Sequence, residues 1–196
     1  LTMSLSPAMT ATSGIDALTQ AVEAYWSKRS QPISDLYALG AISRIMSNLE
    51  DAHKNGQPEA RTAMAEGSLM SGLAFSNTKT TICHSLSYPM TALFGVSHGQ
   101  AVSITLPAFL LSNAHAIRAK VPRLLEALGA GSIEDAASRI RALMTSVGLA
   151  VRLNDLGIGD REIETILDQG FYADRADNNP KPVTIQDARE ILRGIR

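Results

Sequence analysis

The chain has 196 residues, of which 45% are hydrophobic and 19% charged, and its formal net charge is −1. This length allows one substantial core in a single domain. The near-neutral balance excludes the strongly basic composition that attracts nucleic acid or anionic membranes, so neither is expected as a partner. The longest apolar stretch, residues 101–111, is interrupted by polar residues and Pro107 and is too short to span a bilayer. A single cysteine, Cys83, excludes an internal disulfide and is typical of a cytoplasmic protein.

Apolar residues recur at helical spacing along the chain and no strand pattern is found, which predicts an all-α fold. Residues 1–12 are interpreted as an extended lead-in, after which Ser13 caps a helix that runs to about residue 28. Pro89 is expected to end the helix predicted at residues 77–87. The remaining helices are predicted at about residues 32–49, 58–74, 98–111, 114–128, 132–147, 160–169 and 184–195.

Asp16 and Gln20 lie one helical turn apart and therefore share a face of the first predicted helix. A carboxylate and an amide oxygen in this arrangement can bind one divalent cation. The alternative is local, because Ser13 and Asp16 have the spacing of a capping box, which would use the carboxylate at the helix N-terminus. Spacing alone favours the cap.

His84 and His98 are two of only four histidines and can complete a metal site with that pair. His98 precedes Gly99, and glycine permits close backbone approach while the imidazole faces a cavity. However, a lone histidine on an apolar helix is more often a hydrogen-bonded core residue, and no compact motif such as HExxH is present. Cys83 is interpreted as a buried, inert thiol. The residues alone leave both interpretations of the histidines open.

A polar run, residues 77–81, precedes His84. At a helix N-terminus, Lys79, Thr80 and Thr81 would offer an ammonium group, two hydroxyls and free backbone N–H groups to an anion. The alternative is that a threonine caps the helix while Lys79 is solvated, which the run by itself favours. Neither a GxGxxG loop nor a Walker phosphate loop occurs, so most of any nucleotide site would lie outside this chain.

The chain resembles the iron-containing (group III) alcohol dehydrogenase family nearly from end to end. Several motifs carry this resemblance in the same order and spacing, namely residues 13–25 (SGIDALTQAVEAY), residues 74–77 (AFSN) with His84, His98-Gly99 ahead of Leu106-Pro107, and residues 179–182 (NPKP). That family joins an N-terminal α/β nucleotide-binding domain to a C-terminal helical domain. The resemblance implies that residues 1–196 form the helical metal-binding domain of this dehydroquinate synthase-like fold. Residues 1–12 would lead in from an absent N-terminal domain.

The resemblance also assigns roles to individual residues. Asp16, His84 and His98 match metal-ligand positions, and Gln20 stands where the family usually has a third histidine. An amide oxygen is a harder and weaker donor than an imidazole, so the choice between Fe²⁺ and Zn²⁺ is left open. Tyr88 stands in place of a second histidine that the family often has near the nicotinamide, which implies a proton relay.

The implied function is that of the catalytic half of a metal-dependent, NAD(P)-linked alcohol dehydrogenase or aldehyde reductase. The metal would polarise the oxygen of a small alcohol or aldehyde during hydride transfer. NAD or NADP would be bound mainly by the N-terminal domain, so the isolated chain is expected to be inactive. Lys79, Thr80 and Thr81 are similar to the branch associated with phosphonate metabolism, which implies a phosphonate aldehyde as substrate. The parent enzyme is expected to be a cytoplasmic homo-oligomer.

Two alternatives stay open at this point. The first is a dehydroquinate-synthase-like lyase domain, which normally surrounds its substrate with many basic side chains. Only Lys79 is expected near the metal positions here, which disfavours the lyase. The second is a helical module that has lost catalysis and serves in assembly, for which Gln20 and Tyr88 would be traces of a decayed site.

Overall fold

The computed structural model describes residues 2–196, and every regular element within them is helical, which confirms the all-α prediction. Two short 3₁₀ helices, Thr2–Ser4 and Leu153–Leu156, accompany the α-helices. In chain order the α-helices are α1 (Pro7–Trp26), α2 (Pro32–Lys54), α3 (Pro58–Thr78), α4 (Ile82–Phe94), α5 (His98–Ser103), α6 (Leu106–Asn113), α7 (Val121–Leu128), α8 (Ile133–Ser146), α9 (Asp160–Gly170), α10 (Ala173–Asn178) and α11 (Ile185–Gly194). No helix among the described residues is both long and apolar enough to cross a membrane.

Helix α1 is the central element, because α2, α3 and α5 all pack against it and bury most of its surface. It begins at Pro7, a favoured first helical residue, and the Ser6 hydroxyl accepts the Met9 N–H at 3.3 Å as its N-cap. The prediction of an extended lead-in is therefore wrong from Pro7 onward, and its first residue lies outside the described range. The assignment of residues 1–12 to a connection from another domain stays a prediction.

Ser13 does not cap a helix, since it lies inside α1 and donates its hydroxyl to the Met9 carbonyl at 2.6 Å. The neighbouring Gly14 packs so closely on α2 that a Cβ there would lie 2.4 Å from Cδ1 of Leu49. Asp16 consequently stands in the body of α1. The capping-box interpretation of its carboxylate is wrong, which frees that group for another role.

Helix α4 differs from the predicted helix at both ends. Residues 77–78 belong to α3, and the chain then turns at Lys79, whose φ of 59° lies in the left-handed region. The helix passes through Pro89 instead of ending there and stops at Phe94, before a left-handed Gly95. Pro89 costs α4 one bond, the one that its missing N–H would have made to the Ser85 carbonyl. Gly170 of α9 packs against Pro89 and the Ser85 carbonyl, because a Cβ on Gly170 would lie 2.7 Å from Pro89 Cγ.

Helix α5 crosses α1 at Gly99 with the backbones in direct contact. A Cβ on Gly99 would lie 1.9 Å from the Thr12 carbonyl oxygen, a distance that no other side chain can tolerate. The predicted close backbone approach at Gly99 is thus confirmed. The predicted helix at residues 98–111 is divided into α5 and α6, so His98 begins a helix of only six residues beside α1.

Candidate metal centre

Asp16, His84 and His98 meet at one point, each from a different helix, with one potential ligand atom apiece within 4.8 Å of the others. Asp16 Oδ1 lies 3.4 Å from His84 Nε2 and 3.9 Å from His98 Nε2. His84 is buried, whereas the His98 side chain is 40% exposed. A carboxylate and two imidazoles that are open on one side are typical of a catalytic metal site, which keeps a coordination position for substrate.

Among residues 2–196, no hydrogen-bond partner is found for two buried atoms of this cluster, Asp16 Oδ1 and His84 Nε2. Buried polar atoms are nearly always paired, and an unpaired one costs free energy. A cation between these two atoms would satisfy both. The residues present therefore fit a divalent metal ion.

Glu23 lies behind His84 and is fully buried. Its Oε2 is 2.5 Å from His84 Nδ1 and accepts the Thr81 N–H at 3.1 Å. Its Oε1 accepts the Thr81 hydroxyl at 2.6 Å and the Cys83 N–H at 2.8 Å. The carboxylate thus binds both the ring of His84 and the N-terminus of the helix that carries it.

The spacing of polar residues in α1 contains a signal for Glu23, which was missed. Asp16, Gln20 and Glu23 are spaced i, i+4 and i+7, so they form a polar line along one face of a helix that is mostly buried. A buried glutamate in such a line needs partners from elsewhere in the chain. Those partners come from residues 58 to 61 positions away, which no local pattern indicates.

The neighbouring carboxylates of Glu23 and Asp16 shift the pKa of His84. Burial opposes charge on both Glu23 and His84, but their mutual attraction and hydrogen bond outweigh it, lowering the pKa of Glu23 and raising the pKa of His84 to about 9. Asp16 adds to the rise at His84. Partial burial lowers the pKa of His98 despite Asp16 nearby, which favours the neutral imidazole, the form that binds a metal.

Gln20 lies beside the cluster on α1. Its Nε2 donates to Asp16 Oδ2 at 3.1 Å, which leaves Asp16 Oδ1 as the oxygen that faces the histidines. Ligation by Gln20 would need its amide oxygen in place of the nitrogen, after a half-turn of the amide. Its role as a metal ligand stays a prediction.

Two exposed tyrosines stand next to His98. The Tyr88 ring stacks on His98 with centroids 6.2 Å apart, and the Tyr172 ring meets Tyr88 edge-on at 6.0 Å. Tyr172 was not identified from the sequence, because it follows α9 and is 84 residues from Tyr88 in the chain. Its backbone N–H donates to Ser85 Oγ at 3.0 Å, which fixes it against α4.

The N-terminus of α4 does bind an anion, but that anion is the carboxylate of Glu23. Thr81 is fully buried and uses its hydroxyl on Glu23, while the buried Thr80 accepts a hydrogen bond from Arg175. The Thr81 hydroxyl thus donates within the protein, whereas Thr80 accepts a bond and keeps its own O–H. Substrate binding by Thr80 and Thr81 stays a prediction. Lys79 is exposed, and its role toward a substrate stays a prediction.

Comparison with known proteins identifies the family to which this helical architecture belongs. A family model described as "Fe-containing alcohol dehydrogenase family, C-terminal" matches residues 10–195. Long-chain-alcohol dehydrogenase 1 of Geobacillus thermodenitrificans is 33% identical over 97% of this chain and 51% of its own length. The 1,3-propanediol dehydrogenase of Klebsiella pneumoniae is 32% identical over 95% of this chain and 50% of its own length.

The same relationship holds among solved structures. The sulfoacetaldehyde reductase of Bifidobacterium kashiwanohense, solved in complex with NAD⁺, superposes with a TM-score of 0.92 at 31% identity, over 98% of this chain and 51% of that one. The chain thus spans about half the length of the relatives it matches. These matches support the dehydrogenase interpretation over the lyase alternative.

Proposed function

This chain belongs to the Fe-containing alcohol dehydrogenase family, and we propose that it forms the metal-binding half of an enzyme that interconverts alcohols and aldehydes. The observation that carries the proposal is the meeting of Asp16, His84 and His98 around two buried atoms without hydrogen-bond partners. A decayed assembly module would have no reason to keep unpaired buried atoms in this arrangement.

When bound, a divalent metal, Fe²⁺ or Zn²⁺, supplies Lewis-acid polarisation of the substrate oxygen. Asp16, His84 and His98 are the side chains that would hold it. Tyr88 stacks on His98 at the exposed side of the cluster, and its phenol is suited to pass a proton to or from the substrate oxygen. Tyr172 meets the Tyr88 ring edge-on next to the same exposed side.

The cofactor and the rest of the enzyme are proposed from the relatives. They are about twice as long as this chain, and the sulfoacetaldehyde reductase was solved with NAD⁺. We therefore propose an N-terminal nucleotide-binding domain that binds NAD or NADP against this half, in a cytoplasmic homo-oligomer. The test is hydride transfer between alcohols and NAD(P)⁺ by the enzyme that contains both halves. Hydride transfer is expected in the two-domain enzyme and not in residues 1–196 alone. Turnover by this chain alone would contradict the proposal that the cofactor is bound mainly by the N-terminal domain.

Gln20 offers a test of the ligand set. If its amide oxygen ligates the metal, Gln20→Ala should weaken Zn²⁺ binding about tenfold, which corresponds to ~1.4 kcal/mol. Gln20→His should strengthen binding by at least as much, because imidazole is the better donor for Zn²⁺. Titration calorimetry measures both affinities, with Gln186→Ala on the exposed face of α11 as the control. An unchanged affinity in Gln20→Ala would remove Gln20 from the ligand set.

An anionic aldehyde, such as a phosphonate aldehyde, is the proposed substrate class, with Lys79 as the group that selects it. Lys79→Ala in the two-domain enzyme should lower kcat/KM for phosphonoacetaldehyde about 10- to 100-fold, the range that ~1.5–3 kcal/mol for a charged hydrogen bond implies. Acetaldehyde, which lacks the anion, should be reduced as before. Lys54→Ala, which removes a surface cation paired with Glu50, is the control. Equal losses for both aldehydes would contradict selection by Lys79.

A further inference from the structure

Glu23 is a fully buried carboxylate in contact with a proposed metal ligand, and neither the motifs nor the proposed mechanism gives it a role. We propose that Glu23 is the positioning residue of the site, orienting His84 toward the metal and fixing the N-terminus of α4 against α1. This inference rests on the metal site proposed above.

The hydrogen bonds of Glu23 leave its carboxylate no freedom to turn. Each oxygen receives two donors, the Thr81 hydroxyl and the Cys83 N–H on Oε1, and the Thr81 N–H and the His84 ring on Oε2. The backbone donors belong to the start of α4, where N–H groups have no partner within the helix. One side chain of α1 therefore fixes both the position of α4 and the rotation of the ring that α4 carries.

The orientation of His84 follows from this anchor. Because Nδ1 is bound to Glu23 at 2.5 Å, the opposite nitrogen, Nε2, points toward Asp16 Oδ1, 3.4 Å away. An imidazole that donates one N–H to a carboxylate presents the lone pair of its other nitrogen and is a more basic ligand. The two carboxylates on either side of His84, those of Asp16 and Glu23, also match the two positive charges of a divalent cation.

Thr81 and Trp26 support the carboxylate from behind. The Trp26 Nε1–H is a donor only, and it donates to the Thr81 hydroxyl at 2.9 Å. The single O–H of Thr81 is thereby directed to Glu23 at 2.6 Å. All three side chains are buried, so water does not compete for these hydrogen bonds. A chain of hydrogen bonds thus runs from Trp26 through Thr81 and Glu23 to His84 and holds these side chains in place.

The proposal is tested by Zn²⁺ affinity in the 196-residue chain, measured by titration calorimetry. Glu23→Gln keeps the shape of the side chain but turns an NH₂ group toward the groups that donate to the Glu23 carboxylate. Thr81→Val removes one hydrogen bond to Glu23 and leaves the carboxylate in place. Each is expected to weaken Zn²⁺ binding about 10- to 100-fold, the range found for partners of metal-bound histidines. Ser71→Ala is the matched control, because it removes a buried hydroxyl bond to α1, to the Ala17 carbonyl at 2.8 Å, that involves neither Glu23 nor a proposed ligand side chain.

A purely structural role would lower thermal stability in all three variants and leave the affinity of the folded protein unchanged, which would overturn the proposal. A second measurement covers a Glu23→Gln chain that fails to fold. In the Zn²⁺-loaded wild type, NMR should show a slowly exchanging proton on His84 Nδ1, and this proton should exchange faster in Thr81→Val. Equal exchange in the two proteins would also overturn the proposal. If the wild type binds no Zn²⁺ at all, the metal site itself fails, which is a different result from unchanged affinity in the variants.

Discussion

Gly99→Ala is expected to separate α5 from α1, with loss of the metal site and a fall of about 3 kcal/mol or more in the free energy of unfolding. A Cβ at this position would lie 1.9 Å from the Thr12 carbonyl oxygen. Because the obstacle is backbone, no rotation of a side chain can relieve it, and α5 must move away. His98, the preceding residue, must move with it and lose its place beside Asp16.

Chemical denaturation and Zn²⁺ titration of the same protein measure the two expected losses. Gly72→Ala is the control, because Gly72 lies in α3 and an added Cβ there would point into open space among the described residues. Alanine is the better helix former by up to ~1 kcal/mol, so this control should be neutral or stabilising. If Gly99→Ala unfolded at the wild-type denaturant concentration and bound Zn²⁺ normally, the close crossing would not position the site.

Asp16→Asn is expected to abolish metal binding while preserving the fold. The substitution keeps the size of the side chain but removes a negative charge that lies within 4 Å of both histidines. It also places an amide where a cation would need an anionic oxygen. The loss should exceed the ~10- to 100-fold that removal of an outer partner of a metal ligand causes.

Elemental analysis after dialysis, followed by Zn²⁺ titration, measures this effect. Asp51→Asn on the exposed surface of α2 makes the same chemical change far from the cluster and should bind Zn²⁺ like the wild type. Retention of one equivalent of metal by Asp16→Asn at unchanged affinity would show that the carboxylate is not a ligand.

The helical fold could be predicted because its cause is local. Apolar residues at helical spacing mark the buried faces, and the helices at residues 133–146, 160–170 and 185–194 begin within a residue of the predicted positions. The start of α1 was misplaced although Ser6-Pro7 is itself a capping signal. Ser13-Gly14 suggested a competing start, but Gly14 serves close packing on Leu49, which only the tertiary structure reveals.

In the candidate site, too, some residues could be predicted from the sequence and others could not. Asp16, His84 and His98 were identified by the resemblance, and the structure brings their ligand atoms together, although metal binding by them stays a prediction. Glu23 and Tyr172 were missed, because their partners are distant in the chain. The helix N-terminus was expected to offer donors to an anion, and the Thr81 N–H and hydroxyl do bind one, the protein's own Glu23 carboxylate. Substrate binding by Lys79 and Thr80 stays a prediction.

X-ray absorption by the chain loaded with one equivalent of Zn²⁺ tests the central claim most directly, since it reports which atoms surround the metal. The expected spectrum shows nitrogen and oxygen ligands at about 2.0–2.2 Å, with the outer scattering of two imidazole rings and no sulfur. That scattering should fall to one ring in His84→Ala and in His98→Ala. A first shell of water alone, or a spectrum that neither substitution changes, would contradict a metal centre built from Asp16, His84 and His98.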